Sequence, residues 1–378
     1  MKVKLGYLVL HDNHRPEELL ENVVLAENGG FDSIGNSDHF HPWGHESAHG
    51  TLAWIWMAAA AERTSKAPIW TGVTAPGYRY HPGIIAQAFA TLGRLYNERI
   101  YLGVGVGEYL NEDPLGYSWP SIPERVERFE ECLKIIRSLW YENFVDFKGK
   151  YYELRKANIY TKPRTPVPLY ISSQGPIVSN IAGKYGDGYI FSINAQNFEK
   201  GKKLFREKCE PALIRGAIEA GRDPESIDRL GTMFVSYDED YDKALEGCVF
   251  LKGGLAMGGA LTVDNISDPR EIDSLGSNFT MEEMVKKYHY IISTNIDDHI
   301  KGIEEAVKLK ESGKAKEVIA ITVGEEKAQE TVRKALAVGA DRGIHVKADK
   351  YIEPLGVSKI LKKVIEKERP DIVFMGKQ

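Results

Sequence analysis

Cysteine is scarce: Cys132, Cys209 and Cys248 stand far apart in 378 residues, form no CxxC and are odd in number. That usage excludes a disulfide framework and fits a reducing compartment. No stretch approaches the roughly 18 consecutive apolar residues of a membrane span, and Met1-Lys2-Val3-Lys4-Leu5-Gly6 lacks the apolar segment of a secretory signal. A soluble, cytoplasmic protein away from membranes is therefore expected. An excess of one charge is also missing, since 49 Lys and Arg face 54 Asp and Glu for a net charge of −5, with pI near 6.1. Without a basic stripe, no nucleic-acid partner is expected. What the chain does have is apolar content, 43% of its residues, enough for one large α/β domain with or without a small appendage.

Hydrophobic periodicity switches repeatedly between strand and helix. Strands are predicted at 3–10, 32–38, 68–75, 99–107, 167–173, 188–193 and 229–237, each followed by a helix, at 15–28, 52–63, 82–96, 124–140, 176–185, 198–220 and 240–251. Between the fourth and fifth units, Phe147-Lys148-Gly149-Lys150-Tyr151-Tyr152 reads as a hairpin turn on the rim. Seven βα units predict an α/β fold, a TIM (β/α)8 barrel one unit short of closure. Gly253 to Ser277 is glycine-rich and irregular, and Met281 to Ile292 reads as a helix. After about Ile303 lysine and glutamate become dense, and strands are predicted at 317–323, 343–347 and 371–375 with helices at 326–337 and 355–367.

Chemistry in such a fold is expected at the C-terminal ends of strands. Ser37-Asp38-His39-Phe40-His41-Pro42-Trp43 ends the second strand, and Gly103-Val104-Gly105-Val106-Gly107-Glu108 ends the fourth. A histidine at a strand end is often merely solvated, and Trp43 could be a rim aromatic. Yet His39, Trp43 and Glu108 together offer a base, a donor on a rigid ring and an acid, which suits removal of a hydride and a proton from an alcohol. The glycine run resembles a phosphate loop, but no acidic partner stands where a nicotinamide fold would need one. His45-Glu46-Ser47-Ala48-His49 matches HExxH, although Pro42, Gly44 and Gly50 argue against the helix a zinc protease requires. His39-Phe40-His41 resembles the HxH of barrel hydrolases but sits on the wrong strand, so no metal site is expected. Ser172-Ser173-Gln174-Gly175-Pro176 opens a helix whose backbone N–H groups can receive an anion.

Several of these segments resemble the coenzyme F420-dependent members of the luciferase-like superfamily. The matching stretches are Ser37 to Trp43, Arg79-Tyr80-His81-Pro82 with Ala86 to Leu92, Leu102 to Asn111, Phe147 to Leu154 and Gly183 to Gly188, within residues 1 to about 302. F420-dependent secondary alcohol dehydrogenases resemble the chain most, with F420-dependent glucose-6-phosphate dehydrogenases a little further off. The resemblance implies a luciferase-like barrel, usually a homodimer, with the coenzyme against a non-prolyl cis peptide at Gly72-Val73. It further implies that Asp38, Val106, Gly107, Asn111, Ser173, Gln174 and Gly175 hold the coenzyme. His39 would take the alcohol proton, Trp43 would steady the intermediate and Glu108 would protonate the reduced ring. Asp12 or Asn13 stands where the family usually has glutamate. Ser192-Ile193-Asn194-Ala195 stands where the sugar-phosphate enzymes place a lysine, which favours a small alcohol or ketone as partner.

Residues 303–378 resemble a different family, the electron transfer flavoprotein beta subunit. The residues involved are Glu304 to Lys310, Glu317 to Ala320, Glu330-Thr331, Gly339 to Gly343 and Pro370 to Val373. The match stops at Gly376-Lys377-Gln378, before that family's nucleotide loop, so no AMP site is expected. This fragment is expected to supply the last barrel strand through Glu317 to Val323, or to form a separate lobe. Alternatives for the whole chain are an FMN-dependent monooxygenase or reductase, an F420-dependent sugar-phosphate dehydrogenase, and a non-catalytic electron-transfer partner module.

Overall fold

Alternation of strand and helix produces a curled parallel sheet of TIM-barrel type. The computed structural model describes residues 4–46, 48–192, 198–232, 234, 236–237, 241–248, 265–280, 283, 292–293, 317–324, 326–338, 340–348 and 354–368. Strands β1 (Gly6–Val9), β2 (Ser33–Asn36), β3 (Ile69–Thr71) and β4 (Ile100–Val104) alternate with helices α1 (Pro16–Gly29), α2 (Ala53–Arg63) and α3 (Pro82–Leu95). After β4 come a one-turn helix, α4 (Tyr109–Glu112), then α5 (Ile122–Tyr141) and an antiparallel hairpin, β5 (Val145–Lys148) with β6 (Glu153–Ala157). Strands β7 (Leu169–Ser172), β8 (Gly188–Ser192) and β9 (Asp228–Thr232) complete a sheet ordered β1-β2-β3-β4-β7-β8-β9, with α6 (Pro176–Tyr185) between β7 and β8. Every pairing within it is parallel, which directs all its strand ends to one face.

Local sequence explains the boundaries. Proline occupies the first turn of α1, α3, α5 and α6, where its missing N–H costs nothing. Gly30 ends α1 in the left-handed region at φ 93°. Strand alternation then sorts the side chains into two layers. Ile34, Ile69, Leu102, Leu169 and Tyr189 join helix residues such as Val23, Met57, Phe89 and Ile136 in the main buried cluster. Trp70, Tyr170 and Ile190 form a second cluster with Leu8, Tyr101 and Leu230, on the opposite face of the sheet. Gly35 makes room for it, because a Cβ there would come within 2.5 Å of the Trp70 ring.

Most predicted elements stand at their expected places, and the differences are informative. The regular third strand ends at Thr71 rather than Ala75; the cis Gly72–Val73 peptide follows it, and Thr74 then makes a single further parallel bridge to Val104. The helix expected at 198–220 is interrupted by a π turn over Phe205–Cys209. The seventh predicted strand divides, and Ser236–Tyr237 pairs with Ile292–Ser293 instead of continuing in the main sheet. Among the described residues that pair forms a separate two-stranded sheet. The segment expected to close the barrel, 317–323, pairs as Ile319–Gly324 with Arg342–Lys347, and among the described residues it has no other strand neighbour. Helices Gln329–Val338 and Pro354–Glu368 accompany that pair. The second leans on the barrel, since the Lys362 stem reaches the space beside Gly30 at the end of α1. The expected strand at 371–375, most of the expected helix at 281–292 and residues 253–264 lie outside the described residues. No helix among the described residues is long and apolar enough to cross a membrane.

Candidate active site

Three strand ends meet above the sheet. β1 runs into His11 and Asp12, β2 into Ser37, Asp38 and His39, and β4 through Gly105, Val106 and Gly107 into Glu108. His39 Nδ1 lies 3.0 and 2.9 Å from the two Asp12 carboxylate oxygens, while its Nε2 faces Glu108 Oε2 at 3.5 Å. Asp12 therefore orients the imidazole from behind, and Nε2 is directed to the open side. Side-chain exposure grades outward across the trio, from 9% for Asp12 through 17% for His39 to 30% for Glu108.

This arrangement shifts the proton affinities of its members. Burial alone would lower the His39 pKa, but the charge and hydrogen bond of Asp12, with Glu108 beyond, prevail and raise it to about 9. His39 is accordingly an imidazolium at neutral pH. Burial raises the Glu108 carboxyl above its ordinary range, against the opposing pull of His39. His11, edge-on to Trp56 with ring centroids 4.8 Å apart, is driven down to about 4 by burial and stays neutral.

The loops carrying these groups are tied together. Asp38 is held from three sides: Thr74 Oγ1 donates to Oδ2 at 2.7 Å, Arg79 Nη2 to Oδ1 at 3.2 Å and Tyr80 to Oδ1 at 3.3 Å. Arg79 also donates to the Asp38 main-chain oxygen at 2.6 Å, fixing the peptide that leads into His39, and its backbone N–H donates to Glu112 at 3.1 Å. Glu112 is wholly buried on α4, and burial pushes its carboxyl up to about 7 against Arg79. The Asn111 amide accepts from the Phe40 N–H at 2.7 Å and donates to Glu108 Oε2 at 3.1 Å. Trp43, 6.2 Å from His39 between ring centroids, packs with Leu110 against Ile266 and Ile272. Ile272 lies on helix Pro269–Ser277, whose Asp273 carboxylate accepts the N–H groups of His45 and Glu46. His41 donates to the Ser267 carbonyl at 2.8 Å, so this segment braces the whole 41–46 loop.

Backbone lines the remaining floor. Gly72 N–H donates to Asn36 and Thr74 N–H to Gly103, which sets the cis Gly72–Val73 peptide between the ends of β2 and β4. Gly107 adopts φ 94°, and a Cβ there would meet Trp119 at 3.2 Å, so glycine is required. At the end of β7, the Ser173 hydroxyl bonds Gly175 and Ser179, which shapes the turn into α6. α6 has no side-chain cap, and the space about Gly175 is open. An open, uncapped helix start beside a partly exposed Gln174 fits an anionic cofactor group.

Sequence reasoning missed the centrality of Asp12 and the roles of Arg79, Glu112 and Asp273. Asp12 was legible only as a departure from a family glutamate, and Arg79 only as part of the Arg79-Tyr80-His81-Pro82 stretch of the resemblance; Glu112 and Asp273 carried no local signal. The HExxH segment is not helical in its described residues. His45 and His49 instead line a cavity of about 620 Å³ with Phe40, His41, Pro114 and Arg270. Among the described residues no cluster of three or more potential ligands could hold a metal. Of the stretch compared with the sugar-phosphate lysine position, 193–195 lies outside the described residues.

Comparison with known proteins places the chain among known families. The family described as luciferase-like monooxygenase matches residues 3–299, and the electron transfer flavoprotein domain matches residues 300–378. An F420-dependent glucose-6-phosphate dehydrogenase of Mycolicibacterium fortuitum is 40% identical over 311 residues, covering 81% of this chain and 89% of that protein. Its counterpart from Amycolatopsis mediterranei is 41% identical over 303 residues, 80% of this chain and 88% of that one. Among solved structures, an F420-dependent secondary alcohol dehydrogenase in complex with an F420-acetone adduct superposes with a TM-score of 0.75 at 32% identity. That alignment covers 96% of this chain and 99% of the other.

Proposed function

Because the chain belongs to the luciferase-like monooxygenase family, we propose that it is an oxidoreductase dependent on coenzyme F420 that interconverts a small secondary alcohol and its ketone. The observation that carries this reading is His39 held between Asp12 and Glu108 at the joint ends of β1, β2 and β4. F420, when bound, supplies the two-electron hydride carrier. The cis Gly72–Val73 peptide, Val106, Gly107, Ser173, Gln174 and Gly175 are assigned to hold it, with Asp38 and Asn111 framing the site from within the protein.

The proton belongs to the protein side chains. As an imidazolium, His39 can deliver a proton to a carbonyl oxygen during reduction of a ketone, and Asp12 stabilises the charge it carries beforehand. In the reverse direction His39 must first lose its proton, after which it can accept that of the alcohol. Glu108, kept towards its neutral form by burial, is the acid on the coenzyme side. Trp43, its ring 6.2 Å from that of His39 between centroids, is assigned to steady the intermediate.

The appended segment is assigned a boundary of 1–302 for the barrel and 303–378 for the electron transfer flavoprotein-like fragment. Three free, buried cysteines support a cytoplasmic setting, and the family resemblance supports a homodimer acting on small molecules alone. A sugar phosphate is the second reading, favoured by the glucose-6-phosphate dehydrogenases at 40% identity.

Mixing the purified protein with oxidised F420 and either 2-propanol or glucose 6-phosphate, and following the visible absorbance, decides between the two. Bleaching with 2-propanol alone is expected. Bleaching with the sugar phosphate alone would transfer the assignment to the second reading. Anaerobic titration that revealed binding of FMN but not F420 would end both.

A further inference from the structure

Glu108 Oε2 is approached by two donors, the Asn111 amide at 3.1 Å and His39 Nε2 at 3.5 Å. An oxygen that accepts from both directions has no lone pair favourably placed for a proton of its own. Asn111 cannot turn its amide over without cost, because its oxygen already accepts the Phe40 N–H at 2.7 Å, and the residue is only 3% exposed. The backbone adds a further constraint, since Asn111 N–H donates to the Glu108 carbonyl at 3.0 Å and closes the first turn of α4.

We propose that Asn111 is a positioning residue that makes Oε2 the carbonyl oxygen of Glu108 whenever that carboxyl carries its proton, and thereby directs the proton onto Oε1, the oxygen free to serve the reaction. This inference rests on the reading of Glu108 as the acid. The amide reads the His39 loop through Phe40 and the acid through Oε2, so one side chain sets both the spacing of the two proton carriers and the oxygen from which the second one donates. Without that donor the carboxyl proton is freer to occupy either oxygen, and on Oε2 it faces His39, where it repels the imidazolium.

The first test needs no coenzyme. Infrared difference spectra across a pH titration show the protonated-carboxyl stretch, and its loss in Glu108→Gln assigns the band. Asn111→Ala removes a hydrogen bond from the carbonyl oxygen, so the band moves to higher wavenumber. An unmoved band would place the proton on Oε2 and overturn the proposal. Asn111→Asp keeps an acceptor for Phe40 and sets a carboxylate against Oε2, which covers the case in which the alanine variant folds poorly. In that variant turnover falls about tenfold or more, and the alkaline limb of the pH profile moves upward; a limb that stays in place would equally overturn it. If Glu108→Gln abolishes no band and retains full turnover, it is the assignment of Glu108 as the acid that fails.

Discussion

The barrel and the appended segment are built from the same kinds of element, yet they hold them by different means. In the barrel, each strand of a seven-stranded parallel sheet is covered by helices, and one buried cluster runs from Val9 to Ile227. In the appended segment, a single parallel pair is backed by Val318, Ala320, Ala335 and Ala340. Parallel strands rely on burial of both faces, so the second arrangement has far less apolar area to stabilise it. At its strand ends the barrel holds the largely buried trio Asp12, His39 and Glu108, whereas the appended segment sets only exposed ion pairs such as Lys347 with Glu326 there. The proposed chemistry is assigned to the region where long-range packing holds a carboxylate, an imidazole and a second carboxyl within a few ångströms, and the comparison teaches that matching secondary structure alone does not confer such an arrangement.

The comparison can be broken at its strongest point first. Phe89 on α3 is fully buried in the main cluster, and Phe89→Ala should cost about 3–5 kcal/mol in denaturant unfolding. Ala335→Asp, which buries a carboxylate in the small cluster, should speed amide exchange in 317–368 and leave barrel exchange and turnover as they were. Equal exchange changes in both regions would show that the two fold as one cooperative unit.

Next come the proton carriers. His39→Ala and Glu108→Gln should each slow F420 reduction by roughly a hundredfold or more, with unchanged melting temperatures separating chemistry from stability. Equal rates in both variants and the parent would remove the proposed roles.

A smaller effect sharpens the electrostatic account. The His39 pKa is raised from its ordinary 6.5 to about 9, so its stabilising contribution is complete below about pH 6.5 and is lost as pH rises through about 9. Asp12→Asn should return the imidazole towards its ordinary titration in proton NMR and flatten that part of the stability profile. An imidazole still titrating near pH 9 in this variant would point to a source other than Asp12. The smallest effect expected is at the seam between the two regions: Lys362→Ala removes only the stem beside Gly30 and should change stability by less than about 0.5 kcal/mol. Limited proteolysis that trims the appended segment without lowering the melting temperature would confirm that the seam is weak.

Much of the architecture was legible because it is written in local periodicity. Helix 176–185 was expected at its observed bounds, and the rim hairpin around Gly149 was recognisable from its turn residues. Less visible was α4, whose four residues are too few for a helical period although they include Asn111 and Glu112. The predicted strand at 229–237 was read as continuous because its apolar character does not change at the point where its hydrogen-bond partner does.

His39 and Glu108 could be singled out from sequence because strand ends are local features and a parallel sheet aligns them. Asp12 could not be given its role that way, since its meaning lies in two carboxylate oxygens about 3 Å from an imidazole 27 positions along the chain. The amino-acid order alone determined the parallel α/β plan and the face on which reactive groups gather, for both follow from hydrophobic repeats and turn residues. Only the tertiary structure decided that His39 is charged, that Glu108 is kept towards neutrality and that Asn111 joins their loops. Burial and charge act through space over a few ångströms, and distances of that kind exist only once the sheet has curled.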